Sequence, residues 1–267
     1  MARRGFDVRR QTGFTTVAVL CFVFLYLPIV LLVLFSFNSG VSIAVWEGFS
    51  FRWYVSAWDN QIVQSATIRS LIIATIASLV STTVAVLAAM ATTRTKPWRG
   101  QTLAFALINQ PLMVPEIVTA VALLIFFAMI KVATGYTGLG YLIAAHSAFC
   151  IPFAYMPIRA RLQGMDLTLE QAGADLYGTP LKVFYRITLP QLWPGILAGA
   201  MLGFVISLDN VVITEFVKSA GQDTLPTYML GQLRRVITPE INAISTALLA
   251  ISVAMVTAFF LLSRKKT

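Results

Sequence analysis

The chain has 267 residues, of which 58% are hydrophobic and only 12% charged, with mean hydropathy +0.79 and formal charge +9. Soluble domains carry roughly 25% charged residues, so the composition excludes a soluble globular domain, a disordered chain, a coiled coil and a secreted disulfide scaffold. A spanning helix takes about 20 apolar residues and six take about 120, which leaves connections and tails but no room for a large soluble domain.

The first apolar run, 14–37, follows Arg3, Arg4, Arg9 and Arg10. It is too long for the apolar region of a signal peptide, and no A-x-A-like site precedes Asn38-Ser39-Gly40, so an uncleaved first span is expected, kinked at Pro28. A second run covers 68–91. The third, 103–130, is expected to be one span kinked by Pro111 and Pro115, with Glu116 about 20 Å along it. The fourth, 141–158, holds Pro152, Pro157 and the chain's one histidine, His146, beside Ser147. A lone membrane histidine is expected to bond a neighbouring helix rather than serve hydrolysis. No H-E-x-x-H, paired-cysteine or G-x-S-x-G motif is present, and no metal site is expected. Cys21 and Cys150 lie inside apolar runs and read as small hydrophobes.

Residues 159–192 form a long connection with its own pattern. Thr168-Leu169-Glu170-Gln171 fits a capping box, with Thr168 as N-cap and Gln171 at N3, and Leu169, Ala172 and Leu176 recur at helical spacing. Gly178 is expected to end that helix, Thr179 to cap a second short one beginning at Pro180, and Leu189-Pro190 to close the loop. Gly173 and Gly178 have phosphate-loop spacing, but Thr179-Pro180 replaces the required lysine and hydroxyl pair, so ATP binding by that route is excluded. An amphipathic hairpin of this kind presents an apolar edge suited to a partner's groove.

The fifth run, 193–216, carries Gly195, Gly199 and Gly203 on one face, a spacing expected to serve close helix packing in lipid. It also holds Asp209, Asn210 and Glu215. Glu116, Asp209 and Glu215, with Asn210 beside Asp209, suggest the lining of a cation path, against the plainer reading that each acid is paired, for example with Lys218 or Lys131. The sixth run is 243–262. Fourteen of the twenty Lys and Arg residues fall at the two termini, at 94–99 and at 159–186. The positive-inside rule then puts both termini in the cytoplasm, as six spans require. Charges that punctuate apolar segments do not gather into a nucleic-acid surface.

Leu169-Glu170-Gln171-Ala172-Gly173-Ala174-Asp175-Leu176-Tyr177-Gly178 through Arg186-Ile187-Thr188-Leu189-Pro190 resembles the signature loop of permease subunits of binding-protein-dependent ABC importers. Where that family shows Glu-Ala-Ala, three residues, then Gly, this chain aligned on its Leu-Pro end reads Gln171-Ala172-Gly173, then Tyr177, with the glycine one place later as Gly178. Ser207-Leu208-Asp209-Asn210-Val211-Val212-Ile213, Leu225-Pro226 and Thr238-Pro239-Glu240-Ile241-Asn242-Ala243 resemble the spermidine/putrescine class, whose usual Asp-Asp is Asp209-Asn210 here.

The resemblance implies an all-α, six-span, type I importer permease fold of the MetI-like kind, a single transmembrane domain over 1–267, in the bacterial inner membrane. It implies that the loop residues Leu169, Glu170, Gln171, Ala172, Gly173, Asp175, Leu176, Gly178, Leu189 and Pro190 couple to an ATPase. The implied partners are a second, homologous permease, two ATPase subunits that carry ATP and Mg, and an extracytoplasmic solute-binding protein. This chain itself is expected to bind no cofactor and to be no enzyme. The rival expectation is an ion- or proton-coupled carrier working through Glu116, Asp209 and Glu215.

Overall fold

The computed structural model describes residues 12–43, 45–234 and 238–264. The basic residues Arg3, Arg4, Arg9, Arg10, Arg235, Lys265 and Lys266 lie outside the described residues. In chain order the helices are α1 Thr12–Phe35, α2 Arg52–Asp59, α3 Gln61–Thr93, α4 Gln101–Met113, α5 Glu116–Thr134, α6 Gly140–Gln163, α7 Thr168–Asp175, α8 Pro180–Val183, α9 Leu189–Asp209, α10 Val212–Val217, α11 Leu225–Leu233 and α12 Pro239–Arg264, with a π turn at Phe184–Thr188. Among the described residues there is no β-strand, only the isolated bridge between Asn38 and Phe49. Among the described residues, six helical stretches are long and apolar enough to cross a membrane.

Two of the expected spans are divided. The run 103–130 is not one kinked helix: α4 ends at Met113, Val114 and Pro115 are extended, and the spanning stretch is α5, which begins at Glu116. Proline disfavours helical geometry in the residue before it, and Val114 takes φ −99°, ψ 136° accordingly. Pro111, one turn earlier, is accommodated inside α4. The run 193–216 likewise breaks at Asn210 (φ −69°, ψ 118°), so Glu215 sits on the separate helix α10 rather than further along α9.

The chain forms two compact units, one of residues up to 60 with 232–250, the other of 61–231 with 251 onward. In the larger unit α3, α6 and α9 pack together through small residues. Ala77, Ser81, Ala85 and Ala89 of α3 are buried, and the Ser78 hydroxyl donates to the Ala200 carbonyl at 2.6 Å. In lipid, where apolar surface gains nothing from leaving water, close backbone approach and interhelical hydrogen bonds carry association. The α9 glycines permit that approach. A Cβ at Gly199 would lie 2.8 Å from the Ala154 carbonyl oxygen, at Gly195 2.8 Å from the Arg161 Cβ, and at Gly203 3.2 Å from the Ser81 hydroxyl.

His146 is buried between helices, with Nδ1 2.8 Å from the Ser207 hydroxyl and Nε2 2.9 Å from the Thr214 hydroxyl. It ties α6 to α9 and α10. The Ser147 hydroxyl donates to the Ile143 carbonyl instead of meeting the histidine.

Candidate functional site: a braced docking element and two broken helices

Helix α7 is capped by a residue that its sequence pattern hides. Thr168 is the first helical residue rather than the N-cap and makes no capping-box bond; Asp166 accepts from its backbone N–H at 2.9 Å. Hydrogen bonds from the Thr168 backbone and side chain hold the Asp166 carboxyl below its usual range. An Asx-type bond two residues ahead of the helix competes with Thr168's own hydroxyl and wins because the carboxylate is the stronger acceptor.

The C-terminus of α7 closes with paired bonds, Tyr177 N–H to Ala174 O at 3.0 Å and Gly178 N–H to Gly173 O at 3.1 Å, the Schellman pattern. The left-handed residue is Tyr177 (φ 59°), where glycine is the usual occupant. Gly178 is needed for a different reason, because a Cβ there would stand 2.4 Å from the Gly173 carbonyl oxygen. Gly173 in turn leaves room for Ile187, whose Cδ1 would be 2.5 Å from an added Cβ.

Leu189-Pro190 does not close a loop. Helix runs on from Pro180 through the π turn into α9, and the span begins at Pro180. Leu189 N–H bonds to Phe184 O, an i→i+5 step just ahead of Pro190, which has no N–H to donate. The register change therefore falls where the α ladder would be interrupted anyway.

What joins these short helices to the bundle is Glu170. Its carboxylate meets Arg94 Nε at 3.1 Å and accepts from the Thr188 hydroxyl at 3.0 Å. The two charged side chains are only 11% and 16% exposed. One acid thus links α7 to the end of α3 and to the root of α9, beside a hollow of about 260 Å³ that Met90, Glu170, Ala174, Pro180 and Val183 help to line. Arg94 and Thr188 were not foreseen as site residues; Arg94 read only as a topological charge. Leu169, Gln171, Ala172 and Asp175 are exposed on α7. Leu176 (81% exposed), Tyr177 (97%), Leu181 (69%) and Tyr185 (62%) form an apolar prominence beyond it.

Toward the other end of α3, the two helix breaks meet. The Asn210 amide donates to Glu116 Oε1, so the first residue of α5 is bonded to the residue that ends α9. Asn210 also caps α10, its Oδ1 accepting from Ile213 N–H at 3.0 Å. Asp209, adjacent and exposed, has no hydrogen-bond or ion-pair partner among the described residues. Glu215 is paired with Lys218 at 2.6 Å, and Lys218 also meets Asp223 at 2.7 Å. Lys218 is partly buried, which opposes its charge, but the hydrogen bonds and charges of Asp223 and Glu215 outweigh this and raise its pKa. Arg69 of α3 donates to the carbonyls of Gly221 and Asp223 at 2.7 and 2.8 Å, pinning the same turn. The four polar residues thus divide: Glu116, Asn210 and Asp209 lie at the breaks, while Glu215 belongs to an ion-paired turn. No three His, Cys, Asp or Glu side chains converge as a metal site among the described residues.

Residues 81–265 match the family described as "Binding-protein-dependent transport system inner membrane component". The chain is similar to the putrescine transport system permease protein PotI of Escherichia coli (strain K12), 36% identical over 252 residues that cover 93% of this chain and 90% of the relative. It is similar to the spermidine/putrescine transport system permease protein PotC of the same strain, 32% identical over 246 residues and 92% of each chain. Among solved structures it resembles a chain of a bacterial ABC transporter involved in the import of the acidic polysaccharide alginate, with TM-score 0.75, 16% identity and 98% of both chains covered.

Proposed function

The chain belongs to the family of inner membrane components of binding-protein-dependent transport systems, a multi-pass permease of the inner membrane rather than an ion-coupled carrier, and from that premise we propose that it moves a polyamine. The observation that carries the substrate class is likeness over nine-tenths of the chain to permeases named for putrescine and spermidine. The chemistry is compatible: a carboxylate such as Asp209 without a partner offers charge-assisted hydrogen bonds to an ammonium group. Glu116 is held by the neutral amide of Asn210 and by no cation among the described residues, so no salt bridge has to break for it to meet the same solute. Glu215 stabilises the turn instead of meeting solute.

In this reading the end bearing α7 faces the cytoplasm, and residues 159–192 dock on an ATPase that carries ATP and Mg while this chain binds no cofactor. The apolar prominence of Leu176, Tyr177, Leu181 and Tyr185 supports it, since large exposed apolar side chains beside a braced helix suit a partner's groove. Movement of the ATPase passes through Glu170 to α3 and α9 as a rigid displacement. A second permease completes the path, two ATPase subunits drive it and an external binding protein delivers the solute. The test is purification of the tagged chain from its membrane in mild detergent with identification of what accompanies it, for the unaltered chain and for Leu176→Asp. Recovery of an ATPase and a second permease, with the ATPase lost on substitution, is expected; recovery of the chain alone would overturn the reading.

A further inference from the structure

We propose that residues 37–43 and 45–58, which follow α1, are an interfacial anchor seated in the headgroup layer of the bilayer, with its backbone bonded internally and its exposed aromatic and aliphatic side chains turned toward lipid.

The inside of this segment is organised by Asn38, which is fully buried. Its amide nitrogen donates to Ser42 O at 3.0 Å and Val45 O at 2.7 Å, and its Oδ1 accepts from Gly40 N–H at 3.3 Å and Glu47 N–H at 2.9 Å. An amide offers two donors and an oxygen with two lone pairs, and here all are used. The Trp53 indole N–H donates to Gly40 O at 3.1 Å, Ser39 N–H to Gly48 O at 2.9 Å, and Ser50 N–H to Phe37 O at 2.7 Å. Tyr54 and Ser36 share a hydroxyl contact at 2.7 Å. A connection built in this way has little need of water for its backbone.

The outside is mainly apolar, with Glu47 and Arg52 as its exposed charges, groups that the headgroup layer accommodates. Val41 is 68% exposed, Phe49 66%, Phe51 58% and Trp46 47%. In water this would be an unfavourable surface, whereas an aromatic-rich surface beside a span is the composition of the membrane–water boundary. Two ring contacts fix its level. Trp46 packs edge-on against Phe35, the last residue of α1, with centroids 6.0 Å apart, and Phe49 stacks on Phe37 at 5.3 Å. The exposed rings therefore lie level with the end of a span and continue its lipid-facing surface, instead of projecting into water. The headgroup region adds only about 5–7 Å to each side of the hydrocarbon core, so side chains in contact with the terminal residue of α1 are within it. That continuity favours lipid over a soluble partner.

The test uses the assembled transporter in lipid nanodiscs, with Cys21→Ala to remove the exposed thiol. Nitroxide labels are placed singly at Trp46→Cys and Phe49→Cys, with Val41→Cys, outside the ring contacts, as a position that tolerates change. Leu25→Cys on α1 and Lys96→Cys give the lipid and water references. Collision with oxygen relative to a water-soluble nickel chelate is expected to fall between the two references at all three positions, at headgroup depth. In Asn38→Ala the ratio at position 41 is expected to move toward the Lys96→Cys value, because the turn loses its internal hydrogen bonds. A ratio equal to that of Lys96→Cys in the unaltered anchor would overturn the proposal. Suppression of both collisions, the signature of cover by the second permease or the binding protein, would overturn it equally.

Discussion

Glu170→Ala removes the acid that joins three elements, and its cost follows from the geometry. Arg94 loses a charged partner at 3.1 Å in a site where both side chains are mostly buried, and Thr188 loses its acceptor at 3.0 Å. Removing one member of a buried pair costs about 3–5 kcal/mol, and a hydrogen bond to a charged group about 1.5–3 kcal/mol. Both losses fall on one carboxylate and overlap, so they are not added, and because the site lies at the rim of the bundle the cost is placed at the low end of the first range, at about 3 kcal/mol. That is about a hundredfold in the population of detached α7. Amide exchange in the purified transporter reads it directly at Gln171 and Leu176, whose N–H groups bond Leu167 O and Ala172 O. Exchange there is expected to accelerate about a hundredfold, while amides midway along α3 are unaffected. Glu170→Gln, which keeps an acceptor for Thr188, is expected to fall between, and ATP hydrolysis is expected to uncouple from uptake in the same order. Unchanged exchange at Gln171 and Leu176 in Glu170→Ala would refute the argument that this carboxylate holds α7.

Other outcomes follow from the same contacts. Gly199→Ala sets a Cβ 2.8 Å from a backbone oxygen that has no rotamer to change, and is expected to cost about 1–3 kcal/mol, read as a lower thermal midpoint of the purified chain. Tyr177→Gly relieves a left-handed residue and is expected to gain about 1 kcal/mol, seen as slower exchange of the Gly178 amide; faster exchange would mean that the tyrosine side chain holds the turn. Asp209→Asn is expected to impair uptake while leaving ATPase docking intact, and unchanged uptake kinetics would remove it from the path. The Lys218 pKa is raised in the folded chain, so its stabilisation of the turn is complete below the ordinary value near 10.5 and is lost as pH rises through the raised value. The protection of residues 219–224, their exchange measured against the intrinsic rate at each pH, is expected to fall only above that value; a fall between pH 6 and pH 9 would contradict the ion-pair account.

The spans were legible because about 20 apolar residues in succession have few alternatives. Their continuity was less so. Hydropathy is blind to the break at Asn210, since Val211, Val212 and Ile213 resume the apolar run immediately, and the break shows only in backbone geometry. Pro115 was visible, but whether a proline kinks or divides a helix depends on what can hold the freed ends; here Asn210 bonds Glu116 at the new N-terminus. Leu189-Pro190 misled in the opposite direction, because a π turn absorbs the missing donor and the helix continues. The capping box at Thr168 was a true pattern outcompeted by Asp166 two residues earlier. The brace at Glu170 was hidden because Arg94 lies 76 positions away, a separation that no local pattern reports. The α9 glycines differ: their spacing on one helix face announces close approach whichever helix supplies the neighbour.

In the proposed cycle, ATP hydrolysis on a partner, transmitted through α7, drives a polyamine through this chain. Its most direct test is uptake of labelled putrescine into proteoliposomes holding this permease with its membrane partner, ATPase and binding protein, with and without ATP inside the ATPase compartment. Uptake is expected to require both ATP and binding protein and to disappear in Leu176→Asp. Uptake by the chain without ATP, driven by an ion gradient and indifferent to Leu176→Asp, would contradict it.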